Sequence, residues 1–254
     1  MPFTPHSVLH TNSVGMMARQ FEMDVTADNL ANLNTPGFIA SRANFQEYLF
    51  DKVPASLMNG PYRGAAVRPN TSLSYTLGPM VQSGNPTDLA IFGPGFFRVQ
   101  MPDGTTGYTR NGAFKRDAEG NLVTSSGLRL IWGGTIPSTA KDIRVTADGT
   151  VEVRVGQDWE SAGQITMAIF ENSSGMINAG GSTYTADESS GPPIIGTPKA
   201  DGFGSLVAGM VEQSGVSLQN EVAQMMLAQR AYSMSLRSLQ TSDEMLTLAI
   251  RLRG

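Results

Sequence analysis

The clearest pattern in the sequence is a heptad spacing of apolar positions over its last forty residues. Steps of four and three residues separate ten positions, of which eight are apolar. No glycine or proline interrupts residues 216–253. This spacing predicts one long helix whose apolar seam packs against another helix. The ten positions are Leu218, Val222, Met225, Gln229, Tyr232, Leu236, Leu239, Asp243, Leu246 and Ile250.

A second helix is predicted near the N-terminus. We expect it to start between Thr4 and Ser7 and to end before Asn34, because Pro36 restricts the residue before it and Gly37 offers a left-handed exit. Its apolar stripe is shorter and has more polar interruptions than the C-terminal seam. The stripe consists of Leu9, Met16, Met23, Ala27 and Leu30, and a neighbouring stripe of Val14, Met17, Phe21 and Val25.

The pattern changes between the two predicted helices. Residues 51–87 are rich in Pro, Gly, Ser and Asn, which is typical of a connector with extended segments. From residue 88 onward, short alternating runs such as Val151–Val155 are separated by turn signals such as Ala147–Thr150. Strands at this spacing predict an all-β barrel or sandwich, and the stretch 187–202 is interpreted as a long loop.

The predicted fold class is therefore α+β. Two long terminal helices bracket an inserted all-β domain, so we expect them to meet in space as one discontinuous, coiled-coil-like domain. The shorter N-terminal stripe leaves part of the C-terminal seam for other copies of the chain. The predicted segments are an N-terminal helix at 1–35, a connector at 36–87, a β-rich domain at 88–210 and a C-terminal helix at 211–254.

Composition excludes several classes of function. The net charge of -4 and the absence of a basic run argue against nucleic acid as a partner. The chain has no cysteine, which excludes disulfides, thiolate zinc sites and a cysteine nucleophile. No apolar stretch is long enough for a membrane span, so membrane insertion is not expected. The N-terminus does not resemble a secretory signal, which predicts a cytoplasmic chain or export without a cleaved signal.

Two motifs point weakly to chemistry. Ser138 and Lys141 have the Ser-x-x-Lys spacing of acylating penicillin-binding enzymes, but the companion motifs are absent and a surface loop is the better interpretation. His6 and His10 have the spacing of two metal ligands on one helix face, with no nearby carboxylate. We therefore expect no catalytic residue, no cofactor and no metal site.

Three groups of motifs, in this order along nearly the whole chain, resemble one family. Segment Ala27–Phe38 resembles the N-terminal signature of bacterial flagellar rod and hook proteins. The pattern is most similar to distal-rod members, with proximal-rod members as the alternative. The other segments are Asp88–Phe97, Tyr108–Phe114 and Asp117–Val123, which resemble the body, and Val211–Val216, Gln229–Tyr232 and Thr241–Leu246, which resemble the C-terminal signature.

The resemblance implies a structural subunit and not an enzyme. It implies type III export, an extracytoplasmic place in the basal body, and helical assembly into a hollow drive shaft that transmits torque. The implied partners are further copies, other rod and hook proteins, and ring proteins where an outer membrane is present. The predicted interface comprises Leu9, Met16, Met23, Leu30, Leu218, Val222, Met225, Tyr232, Leu236, Leu239 and Leu246, with Asn29, Asn32, Pro36 and Gly37 shaping the exit from the first helix.

Two hypotheses from other classes remain at this point. One is a cell-wall-associated enzyme or binding module that uses Ser138 and Lys141. The other is a chaperone-like coiled-coil protein that binds an unrelated chain and forms no homopolymer. Acylation by a β-lactam would favour the first, and a stoichiometric complex without homopolymers would favour the second.

Overall fold

The computed structural model describes residues 5–48, 66–140 and 142–253. Helix α1 spans Pro5–Ala31 and helix α2 spans Leu218–Arg253. Both predicted helices are confirmed, and α2 has 36 residues, about three times the average helix length of about 11–12. No helix in these ranges is long and apolar enough to cross a membrane.

Eighteen short strands lie in the described parts of the chain between the two helices, which confirms the predicted β-rich middle. A short 3-10 helix, Ser173–Gly175, lies among them. The strands are β1 Ser41–Tyr48, β2 Ala66–Leu73, β3 Met80–Gln82, β4 Leu89–Phe92, β5 Phe96–Gln100, β6 Thr106–Thr109, β7 Lys115–Arg116, β8 Leu122–Val123, β9 Arg129–Leu130, β10 Asp142–Val145, β11 Thr150–Val155, β12 Asp158–Gln164, β13 Met167–Ile169, β14 Ile177–Gly180, β15 Thr183–Thr185, β16 Ile194–Gly196, β17 Ser205–Ala208 and β18 Met210–Glu212.

The largest sheet has nine strands within the described ranges. Its path runs β14-β15-β6-β5-β9-β8-β7, and β13 lies beside β5 with β16 beside β13. Strands β10, β11 and β12 form a three-stranded antiparallel sheet that includes the predicted hairpin around residues 147–150. The remaining described pairs are β1 with β2, β17 with β4, and β18 with β3.

One part of the β-rich region was interpreted wrongly from the sequence. The stretch 187–202 was expected to be a loop, but it contains β16, which pairs antiparallel with β13. Strand β16 has three residues, and Pro192 and Pro193 precede it. A run this short cannot show an alternating pattern, because alternation needs about four residues to be visible.

The chain divides into two compact units. Unit 1 comprises Met1–Leu30, Ser41–Ser72 and Ser217–Gly254, and unit 2 comprises Ala31–Ala40 and Leu73–Val216. The short segment after α1 therefore belongs to unit 2, whereas β1 belongs to unit 1. The chain passes between the units at residues 30/31, 40/41, 72/73 and 216/217.

Unit 2 contains two large clusters of buried apolar side chains. In the first, Phe97 and Phe114 pack edge to face with ring centroids 5.1 Å apart. In the second, Phe170 packs edge to face against Phe96 and Tyr108. A third, smaller cluster contains Phe38, Ala40 and Val216, with Leu33 packed against it. The segment that follows α1 is thus part of the core of unit 2.

Candidate assembly surface

Helix α2 presents an apolar stripe to solvent. Met234 is 70% exposed, and Leu227, Met245 and Leu248 are each exposed by more than half. Leu227, Met234 and Met245 are seven and eleven residues apart, close to whole numbers of helical turns, so they share one side of the helix. We call Leu227, Met234, Met245 and Leu248 the outer stripe.

The outer stripe lies roughly opposite the predicted heptad seam, at about 100° of rotation per residue. Of the eight seam side chains that the structure describes, four are half-buried, namely Val222, Met225, Tyr232 and Leu239, and four are exposed, among them Leu218 and Leu236. Among the α2 side chains described, Glu221 and Ala228 are fully buried, and both lie at the flank of the seam. Helix α2 therefore has two apolar sides, and one chain buries part of only one of them.

Helix α1 buries a polar residue at the centre of unit 1. Asn29 is 2% exposed, and its side-chain amide accepts from Ser41 N at 2.8 Å and donates to Ser41 O at 2.9 Å. The same amide nitrogen donates to Oε2 of Glu221 at 3.1 Å. Asn29 thus joins α1 to the start of β1 and to the first turn of α2. We call these three residues the Asn29 clamp.

Aromatic packing adds to the attachment of α1. The ring of Phe21 meets that of Phe45 in β1 edge to face, with centroids 6.3 Å apart. Phe21 belongs to the neighbouring apolar stripe of α1, which also contains Val14, Met17 and Val25. Thr26, one turn from Asn29, is also buried, and its hydroxyl donates to Glu22 O. Among the α1 side chains described, Thr26 and Asn29 are therefore the buried ones, and Phe21 adds an aromatic contact with β1.

The segment after α1 enters unit 2 through a tight backbone contact. Gly37 has φ +65°, and its N–H donates to Glu212 O at 2.8 Å. A Cβ at this position would lie 2.2 Å from Asn111 N, so neither the conformation nor the space admits a side chain. The N–H of Gly215 donates to Phe38 O, which extends the contact by one more backbone bond.

Beneath this contact lies the fully buried side chain of Arg110. Its Nε donates to Oε2 of Glu212 at 2.8 Å, and its Nη2 lies 2.6 Å from the same oxygen. Glu212 is 4% exposed, so both charges are removed from water. Such a pair is tolerated only where the remaining donors also find acceptors.

Arg110 meets that condition with backbone carbonyls. Its Nη2 donates to Ile91 O, and its Nη1 lies 2.8–2.9 Å from Gly95 O, Gly93 O and the hydroxyl of Tyr75. Burial raises the pKa of Tyr75, so the phenol stays neutral beside the guanidinium. Arg110 therefore holds the turn between β4 and β5 and, through Glu212, the strand that leads toward α2.

The predicted interface residues fall into four groups: buried, half-buried, exposed like Leu218 and Leu236, and those whose side chains are not described. Asn29 and Gly37 are buried within one chain and make the contacts described above. Asn32 and Pro36 are half-buried, and Asn32 Oδ1 accepts from the hydroxyl of Thr35 at 3.1 Å. Met16, Met23, Leu30 and Leu239 are half-buried, like the seam residues above. Leu9 and Leu246 lie on α1 and α2, with side chains outside the described residues.

The residues that stabilise the interior of each unit were not identified from the sequence. Arg110 and Glu212 were not predicted to have a role, although both stand in segments that carried the family resemblance. A charged residue directly after strand β6, in a chain with only 16% charged residues, was the available signal for Arg110.

The alternative chemistry is only partly visible. Ser138 is exposed in a turn before β10, while Lys141 lies outside the described residues. His6 and His10 lie on α1, with side chains outside the description. The turn Gly93–Gly95 connects β4 to β5, as the sequence indicated, and precedes no helix.

Comparisons with known proteins agree with this arrangement of two helices and a β-rich middle. Residues 9–38 match the family described as flagella basal body rod protein. Residues 90–153 match the D1 domain of the flagellar hook proteins FlgE/F/G, and residues 207–252 match the C-terminal domain of the flagellar basal body rod FlgEFG proteins. In order along the chain, the three matches cover most of α1, the strands from β4 to β11, and the end of the β-rich region with α2.

Individual relatives extend over nearly the whole chain. The flagellar basal-body rod protein FlgG of Buchnera aphidicola subsp. Schizaphis graminum is 38% identical over 250 residues, which is 94% of this chain and 96% of the relative. FlgG of Agrobacterium fabrum is 35% identical, covering 93% and 95%. FlgG of Borreliella burgdorferi is 35% identical, covering 96% and 98%. The chain therefore belongs to the family of bacterial flagellar basal-body rod proteins, and within it is similar to the distal-rod members named FlgG.

Proposed function

We propose that the chain is a distal-rod subunit that assembles helically with further copies through its terminal helices. The outer stripe of α2 is the observation that carries this proposal. A helix that is apolar on two sides buries one side in its own unit and needs a second partner for the other. Burying each of its large apolar side chains is worth roughly 1.5–3 kcal/mol, which is sufficient to drive association.

The function that follows is mechanical. Helices packed against helices of neighbouring copies form a tube, and a tube of interlocked subunits transmits torque as a hollow drive shaft. The predicted coiled-coil seam would supply one side of that packing and the outer stripe the other. No covalent bond is made or broken in this role, so neither Ser138 nor any other side chain has a catalytic role in it.

Family membership gives the setting of the proposal. The relatives are flagellar basal-body rod proteins, so we place the assembled chain in the basal body. We further propose periplasmic assembly after type III export, with other rod and hook proteins as neighbours. Ring proteins are proposed as outer contacts in bacteria that have an outer membrane.

The proposal is tested by making the outer stripe polar. Leu227→Gln, Met234→Gln and Met245→Gln together keep side-chain length and helix propensity but remove apolar surface. We expect the triple variant to keep the thermal unfolding midpoint of the wild type and to lose self-association in sedimentation velocity and helical polymers in electron microscopy. The matched control, Gln219→Ala with Ser233→Ala and Gln240→Ala, changes three exposed polar positions of the same helix and should assemble normally.

Two outcomes would contradict the proposal. Unchanged assembly of the triple variant would show that the outer stripe is not an interface. A wild-type chain that forms only a stoichiometric complex with an unrelated protein, and no homopolymer, would favour the chaperone-like alternative.

A further inference from the structure

The charges of unit 2 are unevenly distributed along the sequence. Between Val155 and Pro198 there is no lysine or arginine, but there are five acidic residues. All five are exposed, and three of them, Glu171, Asp187 and Glu188, lie in two loops that meet. Their two loops are joined because Asn172 donates to Ser189 O at 2.9 Å from its side chain. The three carboxylates are thus collected at one place in the fold.

That place is one edge of the nine-stranded sheet. Strand β14 is the last strand on this side, and its Ile177 is 53% exposed. Ile177 pairs with Thr185, two residues before Asp187. We call Glu171, Ile177, Asp187 and Glu188 the acidic edge.

The opposite edge of the same sheet is basic. Strand β7 is the last strand there, and it consists of the exposed residues Lys115 and Arg116, which we call the basic edge. Of the nearby carboxylates, Asp117 accepts from the backbone and side-chain nitrogens of Asn121 and lies near Arg129, while Glu119 is exposed in the following turn. Together these side chains leave the β7 end with a net positive charge.

The two edges lie at the same level of the strands. Lys115 pairs with Val123, Val123 with Arg129, Arg129 with Gln100, and Gln100 with Thr106. Tyr108 of β6 pairs with Tyr184 of β15. In this antiparallel register, the row that passes through Thr106 therefore continues to the residue directly before Asp187. Five strand spacings separate β7 from β15, or about 24 Å across the sheet.

We propose that the basic edge of one copy binds the acidic edge of the next copy. This contact joins unlike surfaces of one chain, and a heterologous contact that does not close into a ring builds an open polymer. Opposite charges would fix the register of neighbours, and Ile177 would supply apolar area at the centre. The inference rests on the proposed function, because it adds a contact between the β-rich units to assembly driven by the helices.

A direct test uses the absence of cysteine from the chain. Lys115→Cys and Glu188→Cys are made as single variants and mixed under assembly conditions with mild oxidation. We expect a disulfide-linked heterodimer from this pair, and none when Lys199→Cys, an exposed loop position of the same unit, replaces Lys115→Cys. Wild-type assembly without the Lys115–Glu188 cross-link would overturn the inference and leave the proposed function standing. Failure of the wild type to assemble at all would overturn both.

Charge reversal supplies a second test. Lys115→Glu/Arg116→Glu gives a copy with two acidic edges, and Glu171→Lys/Glu188→Lys gives a copy with two basic edges. We expect each alone to need about three- to tenfold more protein for assembly, as reversing two exposed charge pairs implies, and an equimolar mixture to recover the wild-type concentration. Lys199→Glu, which reverses one charge outside both edges, is the control. The inference would be contradicted by no recovery on mixing, or by stronger assembly of the Lys115→Glu/Arg116→Glu copy. Either outcome would show that Lys115 and Arg116 only prevent edge-to-edge pairing of strand β7.

Discussion

Arg110 shows at the scale of one residue how unit 2 fixes its internal register. A guanidinium offers five N–H donors in a planar fork, and here they meet one carboxylate, three carbonyls and a phenol. The acceptors come from separate parts of the chain. A single buried side chain therefore ties together the turn after β4, the segment after β2 and the strand β18.

Replacing Arg110 should destabilise unit 2 strongly. Arg110→Met fills similar volume but leaves Glu212 buried without its partner, which costs about 3–5 kcal/mol. Chemical denaturation followed by near-UV circular dichroism measures this loss. The control is Arg144→Met, because Arg144 is 61% exposed in its pair with Glu152 and such pairs contribute about 0–1 kcal/mol. Equal losses for the two variants would argue against the role given to Arg110.

Gly37 permits a separate prediction. Gly37→Ala should cost more than Gly104→Ala, although both glycines have positive φ. A left-handed alanine costs about 1–2 kcal/mol at either position, and the clash with Asn111 N adds roughly 1–3 kcal/mol at Gly37 only, because nothing lies within 4 Å of a Cβ at Gly104. The free energy of unfolding of both variants is the measurement, and an equal loss would contradict the close approach.

These residues mark where sequence reasoning stops. The exit of α1 at Gly37 was predicted, because Pro36 and Gly37 act on the local backbone. The partners of Gly37 were not predicted, since Asn111 and Glu212 are brought there by tertiary structure. Likewise the hydrogen bond between Asn29 and Glu221 joins positions 192 residues apart in sequence, and a local periodicity cannot predict such a long-range contact.

At the scale of elements, periodicity located both helices but not the positions that one chain buries most completely. Among the described side chains of α2 these are Glu221 and Ala228, at the flank of the seam. Helix α2 has apolar residues on two sides. Counting heptads in the sequence identifies only the side with the more regular spacing. On α1, Phe21 from the neighbouring stripe contacts Phe45 of β1.

The Asn29 clamp makes a prediction about how these elements attach to one another. Asn29→Ala removes both bonds to Ser41 and the bond to Glu221, which leaves a buried carboxylate oxygen without that donor and should cost about 1–3 kcal/mol. Hydrogen exchange should speed up at Ser41 N–H and along the C-terminal half of α1. Asn220→Ala, at an exposed position beside Glu221, is the control and should leave exchange unchanged. Unaltered exchange in Asn29→Ala would show that packing at Phe21 suffices.

At the scale of the whole molecule, the boundary between the units does not follow the boundary between helix and strand. Strand β1 belongs to the unit that contains the helices, whereas residues 31–40 belong to the β-rich unit. Changes of composition along the sequence do not reveal this boundary between the units, because the boundary depends on which parts of the chain contact one another in the folded structure. Phe38 and Ile39 are 1% and 4% exposed, so the β-rich unit uses them as core.

This division predicts which truncations fold. A chain of residues 31–216 keeps Gly37 N–H on Glu212 O, Ile39 N–H on the hydroxyl of Tyr184, and the cluster of Phe38 with Val216. It should therefore unfold cooperatively and remain monomeric, because it lacks α1 and α2. A chain of residues 41–216 differs by only ten residues but loses Phe38 and Ile39, and burying two such side chains is worth roughly 3–6 kcal/mol. Calorimetry should give the shorter chain a lower melting temperature or no transition. If the two truncations instead melt alike, residues 31–40 are not part of the β-rich core.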